Sequence, residues 1–539
     1  SENESSPRFE QHARKGSFCF LPISANNSEE FMKRLGELEK DPELLEYPKN
    51  FQYRAFQDFQ NTDAGFSMVL LAENPSKLKE EIIQAQKSVS RCFEDGKDWQ
   101  TPSGSFFTTK PLGQEKIAFV YPGGFNTYVG SGNSLFEMDP ELHERSLSYS
   151  SKIKTLLHPE FLFPQSPNFQ SEEELKQLQQ QFYDSPNPMF ESGISSAVLA
   201  TQVMRNAFGI EPHAAFGYSM GEVSMLFSLG VWGSMDPMSK VLNASPLFHE
   251  RIAGPMNSVR EYWKLKDTDF QNESLWNWYT LRAEPELVAK ALEKRERVYL
   301  VLINTPQEVV IAGEPSACKE LIEELQCESH EIPVTDVVHC PPVQSEYEEI
   351  KKVHTNKVVD KPKVDFFSAA DYTTTKLDSE ILADNIARFY GRTVDFSKLV
   401  EEVYRSGARI FIDMGPRSSC ARWISENLGD RPHLSLGINR KGMDDRQMIL
   451  RTLASLVSHK VPVKLDSLFP KPEEKPVKQL RQTITLGGEP IQSIQNQFEK
   501  GHFSSSKSSD FEPPKVSLPS PSQVEPSTAA VFPVAAAAN

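Results

Sequence analysis

The chain has 539 residues, of which 38 % are hydrophobic. This length predicts two or three globular domains, because a single hydrophobic core stops growing at a smaller size. Its 74 acidic and 58 basic side chains give a formal net charge of −16, which disfavours nucleic acid as a partner because the phosphate backbone attracts basic surfaces.

The six cysteines show no C-x-x-C spacing, so we expect reduced thiols of an intracellular protein rather than a zinc site or a disulfide framework. The first residues carry neither the basic nor the apolar segment of a secretory signal, and there is no apolar run of about eighteen residues. These features predict a soluble, cytoplasmic protein without a membrane span. The sequence does not begin with methionine, which is expected of a piece of a longer polypeptide and equally of a processed chain.

The N-terminal part of the chain has the pattern of a small α/β domain. Residues 1–15 are polar and expected to be disordered, whereas residues 17–23 and 66–71 are apolar runs suited to strands. In residues 76–90 the apolar side chains recur at helical spacing on one face. Residues 16–112 are therefore predicted to form a small α/β domain without catalytic residues.

A larger α/β domain is predicted to begin at residue 113. Residues 116–121 form a largely continuous apolar run, typical of a central parallel strand, and they end in Pro-Gly-Gly. Such a loop lies where an open α/β sheet binds its ligand. A helix is expected over 193–208, where several alanines permit close packing.

Residues 217–222 read Gly-Tyr-Ser-Met-Gly-Glu and follow the apolar run 214–216. A strand that turns abruptly into a helix presents the hydroxyl of Ser219 at the helix N-terminus, where backbone amides and the helix dipole favour an oxyanion. This is the arrangement of an acyl-transferring nucleophile. The pentapeptide alone is weak evidence, and the rest of the chain must support it.

Residues 279–335 show a different pattern, in which two β-rich runs, 298–303 and 309–312, alternate with helical segments. The predicted order is strand, helix, strand, strand, helix, strand, which is ferredoxin-like and suggests a subdomain inserted beside the main sheet. A cleft between the two is the expected consequence. His339 follows the insertion directly, at the end of a short apolar run.

The chain is then expected to return to the main sheet through 364–367 and 408–412, and to form a helix over 444–458. Residues 466–503 are punctuated by proline. From Ser504 onward Ser, Pro, Ala and Val dominate without periodicity, so 504–539 is predicted to be a disordered linker.

Five segments, in this order, resemble the FabD-like malonyl/acyl transferase family of fatty acid and polyketide synthases. They are Phe-Val-Tyr-Pro-Gly-Gly at 119–124, Gly-Tyr-Ser-Met-Gly-Glu at 217–222, Asn-Thr-Pro-Gln-Glu-Val-Val-Ile-Ala-Gly at 304–313, Val-His-Cys-Pro-Pro-Val at 338–343 and Ile-Asp-Met-Gly-Pro at 412–416. The residues at 101–107, 117–123 and 217–225 are most similar to the acyltransferase region of polyunsaturated fatty acid synthases and of the related heterocyst glycolipid synthases.

The resemblance implies an α/β fold: an open parallel-sheet, hydrolase-like core at 113–465, with the ferredoxin-like subdomain inserted at 279–335. Residues 16–112 would be the linker domain between ketosynthase and acyltransferase, and 466–503 a segment that follows the transferase. Ser219 would be the nucleophile and His339 its general base. The backbone amides of Met220 and Gly124 would form the oxyanion hole.

His213 is close to Ser219 in sequence, but it lies at the start of the same predicted strand, about 20 Å away at the usual rise per residue. We therefore reject it as the base.

Two departures from the family pattern concern the substrate. Malonyl-specific members carry an arginine on the second helix after the nucleophile, which binds the free carboxylate. A gapless count from Ser219 places Ala244 there, with Arg251 the nearest arginine. Since an unpaired buried carboxylate is costly, we predict an uncharged acyl group, and the small apolar Val338 beside the histidine is compatible with this.

The family carries a late glutamine near the histidine. In this chain Asp395, within Thr-Val-Asp-Phe-Ser at 393–397, stands in its place. Its carboxylate could orient the histidine, or it could cap a helix. Tyr218, Ala244, Val338 and Asp395 are thus the predicted substrate-pocket residues.

The leading hypothesis is a ping-pong serine acyltransferase that moves an acyl group from a CoA or carrier-protein thioester to the phosphopantetheine thiol of an acyl carrier protein. Expected partners are carrier domains and neighbouring synthase domains, with the ketosynthase on the N-terminal side; no bound cofactor or metal is expected. A thioesterase-like hydrolase and a non-catalytic docking domain remain alternatives. A lipase of the α/β-hydrolase type would place its histidine near the domain end after an acidic partner, and His433 and His459 lack that context.

Overall fold

A computed structural model describes residues 18–471, except 133, 140, 148, 151–156, 163–170, 267–269, 271–273 and 335. The predicted segments 1–15 and 504–539, and most of 466–503, lie outside the described residues. The described residues form one compact unit. Within the described residues, none of the helices combines the length and the apolar character that crossing a bilayer requires.

The first domain is a four-stranded antiparallel sheet in the order β1-β2-β4-β3, packed with helices. Its elements are β1 Cys19–Ala25, α1 Ser28–Lys40, α2 Glu43–Glu46, α3 Pro48–Gln60, β2 Phe66–Ala72, α4 Pro75–Asp95, β3 Trp99–Gln100 and β4 Phe106–Phe107. The predicted helix forms α4, which Asn74 caps by accepting a hydrogen bond from the backbone of Lys77. Its apolar face is buried in a core of its own.

The second domain begins with the central strand and continues through a mainly helical region. The elements are β5 Lys116–Tyr121, α5 Leu135–Met138, α6 Leu142–Ser146, α7 Pro159–Leu162, α8 Glu172–Tyr183, α9 Pro186–Gln202, β6 Ala214–Gly217, α10 Gly221–Ser228, α11 Asp236–Ala244 and α12 Asn257–Tyr262. A π-helical turn, Val203–Ala207, extends α9, and another, Leu247–Arg251, follows α11.

The inserted subdomain has the predicted ferredoxin-like order. Its elements are β7 Asn277–Leu281, α13 Pro285–Leu292, β8 Val298–Thr305, β9 Glu308–Gly313, α14 Pro315–Leu325 and β10 Ser329–Ile332. The four strands are antiparallel in the order β10-β7-β9-β8. They enclose a separate small core.

The chain then returns to the main sheet. The remaining elements are α15 Tyr347–His354, β11 Asp365–Ser368, β12 Thr373–Thr374, α16 Ser379–Tyr390, β13 Val394–Asp395, α17 Phe396–Arg405, β14 Ala408–Asp413, α18 Ser419–Leu428, β15 Leu434–Gly437 and α19 Asp445–Ser458. The main sheet runs β12-β11-β6-β5-β14-β15, and all its strands except the edge strand β12 are parallel. β13 instead joins the subdomain, parallel to β8.

The predicted fold class, an open parallel sheet with an inserted ferredoxin-like subdomain and a preceding small α/β domain, is therefore confirmed. The central strand β5 lies between β6 and β14. The Pro-Gly-Gly loop, the turn of Ser219 and the Gly-Pro turn at 415–416 all follow the carboxyl ends of these three strands. They meet at one edge of the sheet, opposite the subdomain strands that line the same cavity.

Candidate active site

Ser219 lies in the sharp turn between β6 and α10, and its backbone has a positive φ of 56°. A non-glycine residue rarely adopts this conformation, and it occurs where the surrounding structure imposes it. The two flanking glycines are required by close approach: a Cβ on Gly217 would overlap the backbone nitrogen of Glu222, and one on Gly221 would overlap the carbonyl oxygen of Tyr121. The predicted nucleophile turn is therefore formed by local sterics.

His339 lies within hydrogen-bond distance of this serine. The Oγ of Ser219 and the Nε2 of His339 are 2.7 Å apart. The other ring nitrogen, Nδ1, lies 3.0 Å from the carbonyl oxygen of Phe389, which can only accept, so Nδ1 carries the proton. Nε2 is thereby left with its lone pair directed at the serine hydroxyl, as a general base requires.

The imidazole is held firmly and out of water. The backbone N–H of His339 donates to the carbonyl of Tyr390 at 2.6 Å, so consecutive carbonyl groups, those of Phe389 and Tyr390, fix both the ring and its backbone. The side chain is almost fully buried. Burial lowers the pKa of His339 to about 4, although the hydrogen bond to Phe389 acts in the opposite direction. His339 is therefore neutral at physiological pH.

The predicted oxyanion hole consists of the backbone N–H groups of Met220 and Gly124. Both residues line the same cavity as Ser219. Within the described part of the chain, neither N–H group donates a hydrogen bond. The side chain of Asn126 donates to the carbonyls of Gly123 and Gly124 and so fixes the loop. These free donors in the cavity of Ser219 fit the predicted role of stabilising an oxyanion.

Ser219 and His339 open into a cavity of about 300 Å³ between the main sheet and the subdomain. Its wall is largely apolar. Side chains of the main domain and of the subdomain contribute to it, among them Met189, Phe190, Phe248, Trp278, Leu302 and Val310. Such a cavity can hold an acyl chain.

Two of the four predicted pocket residues line this cavity. Val338 does so beside the histidine. Tyr218 lines it too, and its hydroxyl donates to the Oδ1 of Asn304 in the subdomain at 2.7 Å. Burial raises the pKa of Tyr218 well above its usual value, so the phenol stays protonated.

The structure corrects the position of Ala244. It is the last residue of α11, is exposed and does not line the cavity. Ser245 and Pro246 end the helix there, and the π-helical turn that follows places Phe248 in the cavity wall instead. Arg251 is also outside the lining, because its guanidinium is paired with Glu261 and Glu346. The gapless count thus identified the wrong residue. Phe248, which lines the cavity instead, is also uncharged.

Asp395 is corrected as well. Its Oδ1 accepts a hydrogen bond from the backbone of Lys398, so it caps α17, and it does not line the cavity. The alternative role, helix capping, is the one observed. The group that orients His339 is the carbonyl oxygen of Phe389.

Sequence reasoning missed three contributors to the site. Phe389 acts through a backbone carbonyl, which every residue type provides, so no sequence signal could have identified it. Phe248 could have been found only by expecting an irregular turn after Pro246. Arg417 follows the Gly-Pro turn that the sequence had singled out, and it is a cation in the cavity lining.

Comparisons with known proteins agree with this architecture. No protein-family model matches the chain. The chain is 29 % identical over 408 residues to a component of the polyunsaturated fatty acid synthase of Thraustochytrium sp., a match that covers 73 % of this chain and 20 % of that protein. It is 23 % identical over 397 residues to the polyketide synthase GfsB of Streptomyces halstedii, covering 71 % of this chain and 6 % of that protein. The chain therefore spans a fifth or less of the length of these relatives.

Two solved structures show the fold. The acyltransferase domain from module 8 of the salinomycin polyketide synthase superposes with a TM-score of 0.62 at 19 % identity, covering 84 % of this chain and 98 % of that domain. The acyltransferase domain of ZmaA gives a TM-score of 0.62 at 16 % identity, covering 86 % and 99 %. The fold is that of the acyltransferase domains of polyketide synthases. The motifs indicated a resemblance to polyunsaturated fatty acid synthases. The sequence match to the Thraustochytrium protein confirms this resemblance.

Proposed function

We propose that the chain is a serine acyltransferase that takes an acyl group from a thioester and passes it to the phosphopantetheine thiol of an acyl carrier protein. The observation that carries the proposal is the 2.7 Å contact between Ser219 Oγ and the unprotonated Nε2 of His339, at an apolar cavity. The acyltransferase-domain fold supports it. Carrier domains and a neighbouring ketosynthase are the partners that the proposal implies.

In the first half-reaction, Ser219 Oγ attacks the thioester carbonyl while its proton moves to Nε2 of His339. The negative charge on the carbonyl oxygen is stabilised by the N–H groups of Met220 and Gly124. When the intermediate collapses, the carbon–sulfur bond breaks and the departing thiolate takes the proton from Nε2. An acyl ester on Ser219 and a free thiol remain.

In the second half-reaction, a carrier thiol gives its proton to the same Nε2 and attacks the ester carbonyl. The new carbon–sulfur bond forms, the ester bond breaks, and Ser219 recovers its proton from His339. The neutral state of His339 suits both directions, because the ring can accept a proton at the start of each half-reaction.

The acyl group is proposed to be uncharged. The segment after α11 contributes Phe248 to the cavity, and Arg251 of the same segment is neutralised by two glutamates. The carboxyl-bearing Asp336 also lines the cavity. From these groups a malonyl carboxylate would meet an aromatic ring and a carboxylate; the one lysine or arginine among the described lining residues, Arg417, belongs to the turn after β14 and not to this segment.

The test is to incubate the chain with matched acetyl, octanoyl and malonyl thioesters of CoA and of a carrier protein, and to measure the mass of intact protein. We expect an acyl adduct with the uncharged groups, absent in Ser219→Ala, and its transfer to added holo carrier protein. Loading from malonyl-CoA as fast as from acetyl-CoA would refute the uncharged substrate.

Water is the alternative acceptor, since the same acyl-serine could be hydrolysed. Free acid that forms at one rate with or without holo carrier would identify a hydrolase. If no thioester acylates Ser219, and a synthase with Ser219→Ala forms its product at an unchanged rate, the domain serves only for docking.

A further inference from the structure

Arg417 is the only lysine or arginine among the described residues that line the cavity. It lies in the turn after β14. Its Nε donates to the carbonyl oxygen of Asn126 at 3.0 Å, its Nη2 donates to the hydroxyl of Tyr183 at 2.7 Å, and the guanidinium carbon lies 5.6 Å from the centre of the Tyr128 ring. All three partners are neutral groups.

No counter-charge accompanies this cation. Within the part of the chain that the structure describes, no carboxylate forms an ion pair with Arg417, and its Nη1 makes no hydrogen bond. The side chain is half-buried, so one side of the guanidinium is fixed and the other can reach a ligand. A fixed cation with unused donors at a substrate cavity is suited to binding an anion.

The backbone at this turn is strained. Arg417 has φ of 70° and the next residue, Ser418, has φ of 56°, where glycine would be relaxed. Asn439 holds the turn by accepting from the Arg417 backbone N–H at its Oδ1 and from the Ser418 hydroxyl at its carbonyl oxygen. These contacts fix the backbone from which the Arg417 side chain extends.

We propose that Arg417 binds the phosphate of the phosphopantetheine arm that carries the acyl thioester. This inference rests on the proposed acyltransferase function, because it concerns the substrate of that reaction. The phosphate is the anion that acyl-CoA and an acylated carrier have in common, and a guanidinium can donate two parallel hydrogen bonds to it. The half-exposed guanidinium suits a hydrated phosphate, whereas the apolar part of the wall suits the acyl chain.

Lys441 provides a matched control. Its ammonium lies 5.9 Å from the centre of the same Tyr128 ring, but it does not line the cavity. Lys441→Gln and Arg417→Gln remove the same charge from the same neighbourhood, and only the second removes a cation from the cavity. Arg417→Gly removes the side chain while relaxing the backbone, so loss of function in that variant would not result from added backbone strain.

The first measurement is calorimetric binding of 4′-phosphopantetheine and of pantetheine, which lacks the phosphate, to the full chain. Neither probe carries an acyl group, so the result does not depend on catalysis. We expect a preference for the phosphorylated probe of about ten- to a hundredfold, the range of a charge-assisted hydrogen-bonded pair. Arg417→Gln and Arg417→Gly should abolish the preference, Arg417→Lys should keep part of it, and Lys441→Gln should leave it within about twofold.

The second measurement is the rate of Ser219 acylation by octanoyl thioesters of pantetheine, 4′-phosphopantetheine, CoA and a holo carrier protein. Arg417→Gln should raise KM for the phosphorylated donors with little change in kcat, because the contact is remote from the reacting atoms. A defect with both CoA and carrier identifies both as donors, and a defect with the carrier alone identifies the carrier.

Equal binding of the two probes by the unaltered chain would overturn the proposal. So would an Arg417→Gln defect confined to malonyl-pantetheine, since the cation would then bind a carboxylate. A phosphate preference in a chain that no thioester acylates would refute the proposed transfer function and leave the phosphate site standing.

Discussion

The burial of His339 predicts an unusual pH dependence for the acylation of Ser219. An ordinary histidine, with a pKa near 6.5, is mostly protonated at pH 5.5 and cannot accept a proton. Burial lowers the pKa of His339 to about 4, so the ring is still neutral at that pH. We therefore expect the single-turnover rate of acylation to stay level from pH 8 down to about pH 5 and to decline only below that.

The size of the effect follows from the two pKa values. At pH 5.5 a histidine with a pKa of 4 is roughly 97 % neutral, whereas one with a pKa of 6.5 is roughly 9 % neutral. The two cases differ about tenfold in the fraction of competent base and hence in the rate of the chemical step.

The assay is quenched-flow mixing of the chain with an uncharged acyl-CoA, followed by measurement of the acyl-protein fraction by intact mass at each pH. A sample held at pH 5.5 and returned to pH 8 before mixing controls for unfolding and should react at the full rate. A reversible decline with a midpoint near pH 6.5 would show that His339 is accessible to water during the reaction, and the argument from burial would be wrong.

Three further predictions concern single side chains. Desolvation by burial raises the pKa of Glu222 to about 7, so the folded chain loses stability as the pH rises from about 4.5 through 7. Glu222→Gln should therefore raise the free energy of unfolding by about 1–3 kcal/mol at pH 8, and this increase should disappear near pH 5 in urea titrations. Tyr218→Phe removes the donor to Asn304 and should destabilise the chain by about 1–3 kcal/mol; an unchanged midpoint would mean that the bond is immaterial. Asp395→Ala should lower the free energy of unfolding by about 0.5–2 kcal/mol, as loss of a helix cap does, and should leave the acylation rate unchanged. An acylation rate as low as that of a His339 variant would show that Asp395 takes part in the reaction.

Local sequence patterns were sufficient to predict the sharp strand-to-helix turn that carries Ser219. The turn at Ser219 depends on two glycines within two residues of it, each forced by contact with nearby backbone. Most of the subdomain was equally accessible, because β8 and β9 are apolar runs and α13 and α14 are amphipathic helices, whereas the last strand, β10, reads Ser-His-Glu-Ile and lacks an apolar pattern. The turn at Ser219 and the subdomain both depend on short-range steric contacts and on hydrophobic periodicity, which can be read from a single sequence.

The pocket residues that lie far from Ser219 in sequence could not be predicted in the same way. Ala244 was chosen by counting residues, and counting fails where Pro246 ends a helix and a π-helical turn changes the register. Asp395 was chosen because it stands where the family carries a glutamine, with orientation of the histidine as one of its two possible roles, yet the group that contacts His339 is the carbonyl of Phe389. Backbone groups carry no residue-type signal, so only the tertiary structure could identify this partner.

The site depends on how the subdomain is attached to the main domain, and one buried carboxylate connects them. Glu308, at the start of β9, accepts from Asn304 of β8, from the indole N–H of Trp423 at 2.6 Å and from Arg422, both on α18 of the main domain. Asn304 in turn accepts from Tyr218, the residue before Ser219. The subdomain thus contacts the nucleophile turn through one continuous polar network. His339 follows the insertion in sequence, so the subdomain is linked to Ser219 through this network and to His339 through the chain itself.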